Sequence, residues 1–367
     1  MLRSGARSVR SVGVGTWIAA AATVALAVPA ARADAFTDYG LVGTFHLPAA
    51  ARFDVLADGR LVTVVGTALH VETAVGARTF TPLGALPGAS FPGGAFGGPA
   101  FVRVSPDGSR VAIGNNGGPS FVDFQVGIFN LADLTGAWFG VPHFDAAWID
   151  DQHLALTAGA FGSPSTVTAL DTRSAPSSPT NPVVVANIGG ASAGVAFDAA
   201  GRLYTGNGYA TSGPSGTGAI KAFEPTAWTA ALSGGAPVDF ESVGTLVATL
   251  LSASPLVFDG EGNLLVGGGD FLGGLETDYA ALLRHTALAA ALGGGGPANP
   301  ADPTQVRRFD PDAGNPFNYY DVNYNAITGE VYLRDGAQVW VYVVPEPATV
   351  ALLTLALLAM RRRGGRC

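Results

Sequence analysis

The sequence predicts an all-β fold, a β-propeller of six four-stranded blades that form a closed ring. Three observations lead to this prediction. Gly contributes 51 and Pro 24 of the 367 residues, and both are costly inside helices, which argues against a mostly helical protein. Hydrophobic residues reach 48 %, enough for a large core, which excludes intrinsic disorder. A hairpin pattern recurs about every 45–65 residues, the repeat length of propeller blades.

Residues 1–33 are predicted to be a secretory signal peptide. Three arginines and no acid precede an almost continuous apolar run over residues 12–28. Ala31 and Ala33 supply the small residues that signal peptidase needs at its cleavage site, so this peptidase is a predicted partner. Cleavage would leave Asp34 as the first residue of the exported protein. The alternative is a permanent N-terminal membrane helix.

The body, residues 34–344, consists of repeats. Each copy has an alternating β-run, a turn that contains Asp, Asn or Gly, and a second β-run, which together indicate a hairpin. The six copies begin near Phe53, Val102, Ala147, Val195, Val257 and Val322. One or two further β-rich runs follow each hairpin, and four strands make one blade. Seven blades would result if one of the long units, 195–256 or 257–321, contained an additional hairpin.

The two ends of the body are predicted to close the ring. The sixth unit has only three β-runs before the C-terminal tail, whereas residues 40–47 form a β-run without a partner. We therefore expect residues 40–47 to be the outer strand of the last blade, since this removes an open sheet edge. Units four and five also carry short helices that end at glycines, over residues 226–232 and 286–292.

The C-terminal tail, residues 345–367, is a second targeting segment. Pro345, Glu346 and Pro347 precede residues 348–360, which are uncharged and mostly aliphatic. An arginine cluster follows, formed by Arg361, Arg362 and Arg363. The apolar run is predicted to be a transmembrane helix with the arginines in the cytoplasm and the body outside. Such a helix is only about 20 Å long, so it needs flanking residues or a thinned bilayer, and a buried terminal helix is the alternative.

This tail resembles the PEP-CTERM sorting signal of Gram-negative bacteria, in which a Pro-Glu-Pro motif, an apolar helix and an arginine cluster follow one another. The resemblance covers the last 23 residues, 345–367. It implies processing near the Pro-Glu-Pro motif by an exosortase, a membrane-embedded peptidase. It also implies a link to exopolysaccharide, since many members come from bacteria that produce it. The implied route is export through the inner membrane, transient anchoring with the body in the periplasm, and delivery to the cell surface or extracellular matrix.

The charge of the body restricts its partners. Residues 34–345 contain 12 basic and 27 acidic side chains and therefore carry a net charge of −15. Such a body is not expected to bind nucleic acid or anionic lipid through its general field, whereas cations and neutral polymers such as glycans remain candidates. The only cysteine is Cys367, so no intramolecular disulfide can form and stability depends on core size.

Three patterns imitate functional motifs without their context. Residues 190–194 match G-x-S-x-G, but a β-run follows where a nucleophile elbow needs a helix. Asp259, Glu261 and Asn263 alternate as in a calcium loop, but Leu264 replaces the required glycine. The five histidines have no metal-ligand spacing; they are His46, His70, His143, His153 and His285. The sequence therefore predicts no catalytic residue, no metal ligand and no cofactor.

The segments after the second β-run of several units are the best candidates for a binding site. In a propeller they occupy equivalent places and converge on one face around the central channel, where loops on a rigid scaffold often form sites. Their Asn, Asp and aromatic side chains suit a polyhydroxylated ligand. The predicted ligand-binding residues are Asn115, Asn116, Phe161, Asn207, Tyr209 and Asp270. The alternative is that Gly and Asn serve only to permit positive φ angles.

These patterns favour a non-enzymatic, exported propeller that acts as a binding or structural component, with exopolysaccharide as the implied partner. The alternative is a propeller enzyme, a lactonase or glycan-cleaving hydrolase, with carboxylates at the channel mouth. Two acids about 5–9.5 Å apart would favour the hydrolase. A mouth lined only by Gly, Asn and aromatic residues would favour binding.

Overall fold

The computed structural model describes thirteen parts of the chain, and their residues are 39–49, 51–91, 99–115, 124–158, 165–176, 178, 181–189, 192–207, 218–250, 253, 255–268, 279–312 and 320–343. The predicted signal peptide, the Pro-Glu-Pro motif and the transmembrane run lie outside these residues. Neither of the helices found within them is long and apolar enough to cross a membrane.

Strands of the described residues form six sheets, each with four antiparallel strands, and each sheet is one blade of a ring. The first strand, β1 (Gly40–His46), belongs to the last blade. Blade 1 contains β2 (Phe53–Val55), β3 (Leu61–Val65), β4 (Ala68–Glu72) and β5 (Phe80–Ala85). Blade 2 contains β6 (Phe101–Val104), β7 (Arg110–Asn115), β8 (Gln125–Asn130) and β9 (Gly136–Phe139). Blade 3 contains β10 (Asp145–Trp148), β11 (His153–Ala158), β12 (Ser165–Asp171) and β13 (Val183–Ile188).

The second half of the ring also contains the two helices. Blade 4 contains β14 (Ser192–Phe197), β15 (Leu203–Asn207), β16 (Gly218–Phe223), helix α1 (Pro225–Leu232) and, after the short strand β17 (Val238–Asp239), β18 (Thr245–Leu250). Blade 5 contains β19 (Leu256–Phe258), β20 (Leu264–Val266), β21 (Ala280–Leu283), helix α2 (His285–Leu292) and β22 (Val306–Phe309). Blade 6 contains β23 (Asp321–Asn325), β24 (Glu330–Asp335) and β25 (Gln338–Val343), with β1 as its outer strand.

The architecture and the closure predicted from the sequence are both confirmed. Strand β1 pairs antiparallel with β25, from Gly40 opposite Val343 to His46 opposite Gln338. Tyr39 and Leu47, which flank β1, are buried in the body. The described strands from β1 to β25 therefore close on themselves.

Two faces of the ring follow from the antiparallel order. The first two strands of every blade are joined on one side, which we call the turn face. In each of these six turns, an Asp or Asn side-chain oxygen accepts a hydrogen bond from the backbone N–H two residues later, at 2.7–3.0 Å. The six residues are Asp58, Asp107, Asp150, Asp198, Asp259 and Asn325. This hydrogen bond offers the backbone an alternative to strand pairing at these residues and so holds it in the turn.

The opposite side, which we call the loop face, holds the carboxyl ends of the second strands. Here the second strand of each blade connects to the third, and the fourth connects to the first strand of the next blade. Asn115 and Asn207 end the second strands β7 and β15 on this face. The segments predicted to converge around the channel therefore begin on a common side of the ring.

Both predicted helices are present and cover the outer edges of preceding blades. Helix α1 packs against β13, and helix α2 packs against β18. After α1, Val238 makes a parallel contact with Ala186 of β13. After α2, Ala298 makes a parallel contact with Ala248 of β18. The first contact adds β17 to blade 3 as a fifth strand. The repeated insertion thus links each helix-bearing blade to the one before it.

The core of the described residues divides into six apolar clusters, and each lies between two neighbouring blades. One example joins Val64 and Leu69 of blade 1 to Val111 and Phe129 of blade 2. A single blade cannot bury both of its apolar faces, whereas stacking blades in a ring buries them all. Ring closure is therefore part of the stability of every blade.

Candidate functional site

Six charged side chains of blades 6, 1, 2 and 3 form ion pairs or lie close together near the axis of the ring; four lie in inner strands, Arg52 directly precedes one, and Arg334 lies in the second strand of blade 6. They are Arg52, Asp54, Arg103, Asp145, Asp321 and Arg334. Arg103 of blade 2 interacts electrostatically with Asp321 of blade 6, although blade 1 stands between them. The inner strands β23, β2 and β6 are neighbours around the axis, which brings these charges close together. We call these six residues the axial ion cluster.

Two carboxylates of the axial ion cluster are bound by arginines. Arg103 Nη2 contacts Asp145 Oδ1 at 2.6 Å, and its Nε donates to the carbonyl of Ala146 at 2.8 Å. Asp321 Oδ2 contacts Arg52 Nη1 at 2.9 Å and Arg334 Nε at 3.4 Å. Asp145 and Asp321 are both buried, so each is held in place by its partner.

Asp54 differs from the other two carboxylates of the cluster. Its Oδ2 accepts a hydrogen bond from the backbone N–H of Val104 at 2.6 Å, and it remains partly exposed. Burial raises the pKa of Asp54 to about 6, although the nearby Arg103 opposes this shift. Asp54 is therefore the member of the cluster that could exchange a proton near neutral pH.

The remaining pKa shifts of the cluster follow from burial and neighbouring charge. Burial raises the pKa of Asp145, against the effect of Arg103. Burial also disfavours the carboxylate of Asp321, but Arg52 and Arg334 outweigh it and hold that pKa below its ordinary value. Burial and the charge of Arg52 lower the pKa of Arg334 to about 10. Three guanidinium groups and three carboxyl groups thus compensate one another at the axis.

The structure places two of the six predicted ligand-binding residues. Asn115 and Asn207 are buried at equivalent positions on the loop face. Asn115 Nδ2 donates to the carbonyl of Ser90 at 2.6 Å, and Asn207 Oδ1 accepts from the N–H of Ala219 at 2.7 Å. Both side chains therefore help to hold neighbouring backbone in place. The other four, Asn116, Phe161, Tyr209 and Asp270, lie outside the described residues.

His143 is buried near the loop face between blades 2 and 3. Its Nδ1 lies 2.9 Å from the carbonyl oxygen of Val141, whereas its Nε2 has no hydrogen-bond partner among the residues that the structure describes. The rings of Phe101 and Phe124 pack against it edge-on. Burial lowers the pKa of His143 to about 4, so the side chain is neutral at physiological pH. A Cβ at Gly114 would lie 2.8 Å from Nε2, which explains the glycine at that position.

The motif that resembles a calcium loop is a hairpin turn. Asp259 Oδ1 accepts hydrogen bonds from the N–H groups of Glu261 and Asn263. Its Oδ2 accepts from Tyr39 Oη at 2.8 Å and from Asn263 Nδ2 at 2.8 Å. Both oxygens are therefore occupied by the protein itself. Among the residues that the structure describes, no three His, Cys, Asp or Glu side chains are grouped as metal ligands would be.

The G-x-S-x-G segment lacks the geometry of a nucleophile elbow. Strand β14 begins at Ser192, where an elbow would begin a helix. This position joins blade 3 to blade 4.

The axial ion cluster was not predicted from the sequence. A signal was present, because Arg103 interrupts the apolar run from Phe101 to Val104, and Asp54 lies between Phe53 and Val55. Charged residues inside such short runs are unusual unless they are paired. The sequence does not show which charges meet, since their partners lie in other blades.

Comparisons with known proteins support the sorting signal predicted for the tail and, separately, the propeller fold of the body. Residues 343–365 match the PEP-CTERM protein-sorting motif, as the sequence predicted. The motif marks an exported protein that is sorted through the cell envelope and processed by an exosortase. A search of curated proteins found no match.

The body is similar to solved propeller structures. One is the PQQ-bound form of aldose sugar dehydrogenase from Streptomyces coelicolor, with 16 % identity and a TM-score of 0.55, over 83 % of this chain and 98 % of that one. Another is the holo form of the pyranose dehydrogenase PQQ domain from Coprinopsis cinerea, with 11 % identity and a TM-score of 0.51, over 83 % of this chain and 97 % of that one. At these identities, the similarity shows the fold alone.

Proposed function

We propose that the protein is a non-enzymatic component of the cell surface or extracellular matrix that binds a neutral polysaccharide on its loop face. The observation that carries this proposal is the amino-acid composition of six of the connections that join strand ends lying on that face. Each contains Gly, at least one Phe or Tyr, and no Lys, Arg or His. The six connections are residues 86–100, 116–124, 159–164, 208–217, 267–279 and 310–320.

This composition matches the chemistry of an uncharged sugar polymer. Aromatic rings offer apolar faces to the C–H surfaces of sugar rings. Asn, Ser, Thr and Tyr side chains supply both donors and acceptors for hydroxyl groups. These six connections contain no cation, and in two other connections of this face Arg52 is bound to Asp321 and His143 is buried and neutral, which disfavours an anionic ligand here. We propose the ligand-binding residues predicted from the sequence, above all Phe161 and Tyr209, as parts of this surface.

The axial ion cluster supports binding over hydrolysis. A glycosidase needs one carboxyl group as acid and a second as base or nucleophile. Asp145 is bound by Arg103, and Asp321 is bound by Arg52 and Arg334. These arginines compete with any substrate for the two carboxylates. Asp54, with its pKa near 6, favours the hydrolase as the second candidate function, because it could act as a single acid.

The cofactor named in the two similar structures does not suit this chain. PQQ carries three carboxylates, and a protein that binds it needs positive charge at the site. The six connections named above supply none, Arg52 and Arg334 are bound to Asp321, and Arg103 is bound to Asp145. We therefore derive no redox step for this protein.

Co-sedimentation of residues 34–344 with a neutral matrix polysaccharide tests the proposal. We expect binding without release of new reducing ends. The double variant Phe161→Ala/Tyr209→Ala should bind roughly tenfold more weakly, since each aromatic contact contributes about 0.5–1.5 kcal/mol. Leu83→Ala, an exposed change on the outer strand β5, is the control and should bind normally.

Two outcomes would contradict this proposal. Equal binding by the double variant would remove the loop face from recognition. New reducing ends that disappear in an Asp54→Asn variant would establish the hydrolase instead.

A further inference from the structure

Three blades carry an arginine at the start of their second strand, just after the Asp of the turn. They are Arg60, Arg110 and Arg202 in blades 1, 2 and 4. In two of them the turn carboxylate neutralises the guanidinium group. Arg60 Nε donates to Asp58 Oδ2 at 2.7 Å, and Arg202 Nε donates to Asp198 Oδ2 at 2.8 Å. These two arginines are therefore not available to another anion.

Blade 2 departs from this pairing because serines occupy its turn carboxylate. Ser105 Oγ donates to Asp107 Oδ1 at 2.6 Å, and Ser109 Oγ lies 2.8 Å from both carboxylate oxygens. The N–H of Ser109 donates to the same carboxylate at 2.9 Å. Asp107 is thus satisfied without Arg110.

Arg110 turns towards blade 3 instead. Its Nη1 donates to Thr172 Oγ1 at 2.7 Å, and its guanidinium group lies 5.2 Å from the centre of the Trp148 ring. Among the described residues, no carboxylate lies within ion-pair distance of Arg110. In a body with a net charge of −15, an arginine held in place without an acid is unusual.

The held guanidinium group faces a groove of about 410 Å³ between blades 2 and 3, at the turn face. Ile128, Ala137 and Pro176 give this groove an apolar side, and Asn130 and Thr172 give it polar groups. Its other arginine, Arg173, is bound to Asp171 by two hydrogen bonds. The nearby Asp133 carboxylate is occupied by the N–H and Oγ of Thr135.

The corresponding groove between blades 1 and 2 provides an internal comparison. It has a volume of about 360 Å³ and contains Arg60 together with its partner Asp58. Leu56, Leu83 and Leu131 also line it. The two grooves have similar positions and sizes, but only the groove between blades 2 and 3 has an arginine with no described carboxylate at ion-pair distance.

We propose that the groove between blades 2 and 3 binds an acidic sugar and that Arg110 recognises its carboxylate. The groove is within the size range of small-molecule sites. A guanidinium group can bind a carboxylate through two parallel hydrogen bonds, and its contact with Trp148 reduces the side-chain entropy lost on binding. The apolar side and the hydroxyl and amide groups suit a sugar ring. This site is separate from the loop face and does not depend on the function proposed there.

Calorimetric titration of residues 34–344 with digalacturonate, and with its neutral counterpart digalactose, tests the proposal. We expect digalacturonate to bind at least tenfold more tightly. Arg110→Gln should weaken this binding roughly 10- to 100-fold, as expected for loss of a hydrogen bond to a charged group. Arg110→Lys should fall between the two, because it keeps the charge but not the fork of donors. Arg202→Gln is the matched control and should bind like the wild type.

A double variant, Ser105→Ala/Ser109→Ala, tests why Arg110 is available. It frees Asp107 to pair with Arg110 while leaving the arginine in place, so digalacturonate should bind several-fold more weakly. This variant and Arg110→Lys keep the proposal testable if Arg110→Gln fails to fold.

Three results would overturn the proposal. One is equal affinity for the acidic and neutral disaccharides, and another is unchanged binding by Arg110→Gln. The third is equal binding of a short aspartate peptide, which would show a general carboxylate site and not a sugar site. The Phe161→Ala/Tyr209→Ala variant should bind digalacturonate normally, so failure of the loop-face proposal is distinguishable from failure of this one.

Discussion

The interface between blades 4 and 5 differs from the interface between blades 6 and 1 in the kind of side chains that hold the two blades together. Between blades 4 and 5, a large apolar cluster includes Leu250, Leu256 and Leu288, and helix α2 covers the outer edge. Between blades 6 and 1, the apolar cluster is much smaller and contains Phe53, Leu61 and Tyr332 among a few others. At the interface between blades 6 and 1, contacts of charged side chains add to this smaller apolar cluster.

Arg78 is the main polar link of the interface between blades 6 and 1. It lies in blade 1 between β4 and β5, and its Nη2 donates to Glu330 Oε1 of blade 6 at 2.8 Å. Its guanidinium group also lies over the rings of Phe45 and Tyr332. The buried Glu72 accepts from the N–H of Arg78 at 2.7 Å. The arginine therefore joins blade 1 to the strand that closes the ring.

The contrast shows where this fold depends on charge. Blades 4 and 5 are consecutive in the chain, so apolar packing and an insertion suffice to join them. Blades 6 and 1 are brought together by the two ends of the body, and the axial ion cluster also lies on this side of the ring. We expect apolar substitutions to dominate at the first interface and changes of charge or pH at the second.

Deleting residues 34–47 should have the largest effect, because it removes β1 from blade 6. The deletion loses the burial of Tyr39 and Leu47, at about 1.5–3 kcal/mol each, and the partial burial of Phe45, and it leaves β25 as an open edge. Residues 48–344 should unfold at a lower temperature than residues 34–344 and should aggregate. Thermal unfolding with light scattering measures both. Equal midpoints and equal solubility would show that β1 does not hold the ring closed.

Leu288→Ala should have the next largest effect, at the interface between blades 4 and 5. Leu288 of α2 is 4 % exposed, and its removal leaves a cavity that costs about 2–5 kcal/mol. The loss should be the same at pH 5 and pH 8, because the cluster contains only apolar groups. Denaturant unfolding at both pH values measures it. Leu232→Ala in α1, at a side chain that is 36 % exposed, is the control and should cost much less.

Arg78→Ala should destabilise the interface between blades 6 and 1 by roughly 1–3 kcal/mol, since the ion pair is partly exposed. Arg78 also has a φ of 55°, a conformation that glycine adopts without strain. Arg78→Gly should therefore be about 1 kcal/mol less harmful than Arg78→Ala, although it removes more atoms. Urea unfolding of both variants tests this order, and the reverse order would contradict the role assigned to the backbone.

Asp54→Asn should give the smallest effect, and it should depend on pH. The folded pKa of about 6 lies above the ordinary value of 3.8, so the folded state holds a proton that the unfolded state has lost. The Asp54 carboxyl group therefore stabilises the folded state below pH 4, and this contribution is lost as the pH rises through 6. Relative to the wild type, the free energy of unfolding of the variant should rise by on the order of 1–2 kcal/mol as the pH increases from 4 to 7.

Asp321→Asn is the control of opposite sign. Arg52 and Arg334 lower the pKa of Asp321, so its contribution is present above pH 4 and is lost as the pH falls. This variant should be less stable than the wild type at pH 7, and the difference should shrink on acidification. Unfolding curves from pH 2 to pH 8 compare the two variants, and parallel curves would show that the cluster does not titrate as described.

The fold could be predicted because its signals are local. Each hairpin shows an alternation of period two on both sides of an Asp- or Asn-containing turn, and the turn bonds form within a few residues. The closing strand was found by counting strands, since one blade lacked its fourth and one run had no partner. The helices were predicted from a repeated segment that ends at glycines. Local propensity and tertiary structure agree in all of these elements.

The candidate sites were less accessible from the sequence. Asn115 and Asn207 were correctly placed on one face, but the sequence did not show that both hold neighbouring backbone. Arg110 looked equivalent to Arg60 and Arg202 in the repeats. The Arg110 side chain extends towards the next blade, because two serines of its own turn bind the turn carboxylate and because Trp148 and Thr172 contact its guanidinium group.

The sequence by itself determined the hairpins, the closing strand and the sorting tail, whereas the structure decided between six and seven blades. Only the tertiary structure decided which charges meet. Tyr39 contacts Asp259 across 220 residues of chain, and Arg78 contacts Glu330 across 252. The physical reason is that a turn or a strand depends on neighbours in the chain, whereas an ion pair forms between whichever side chains ring closure brings together.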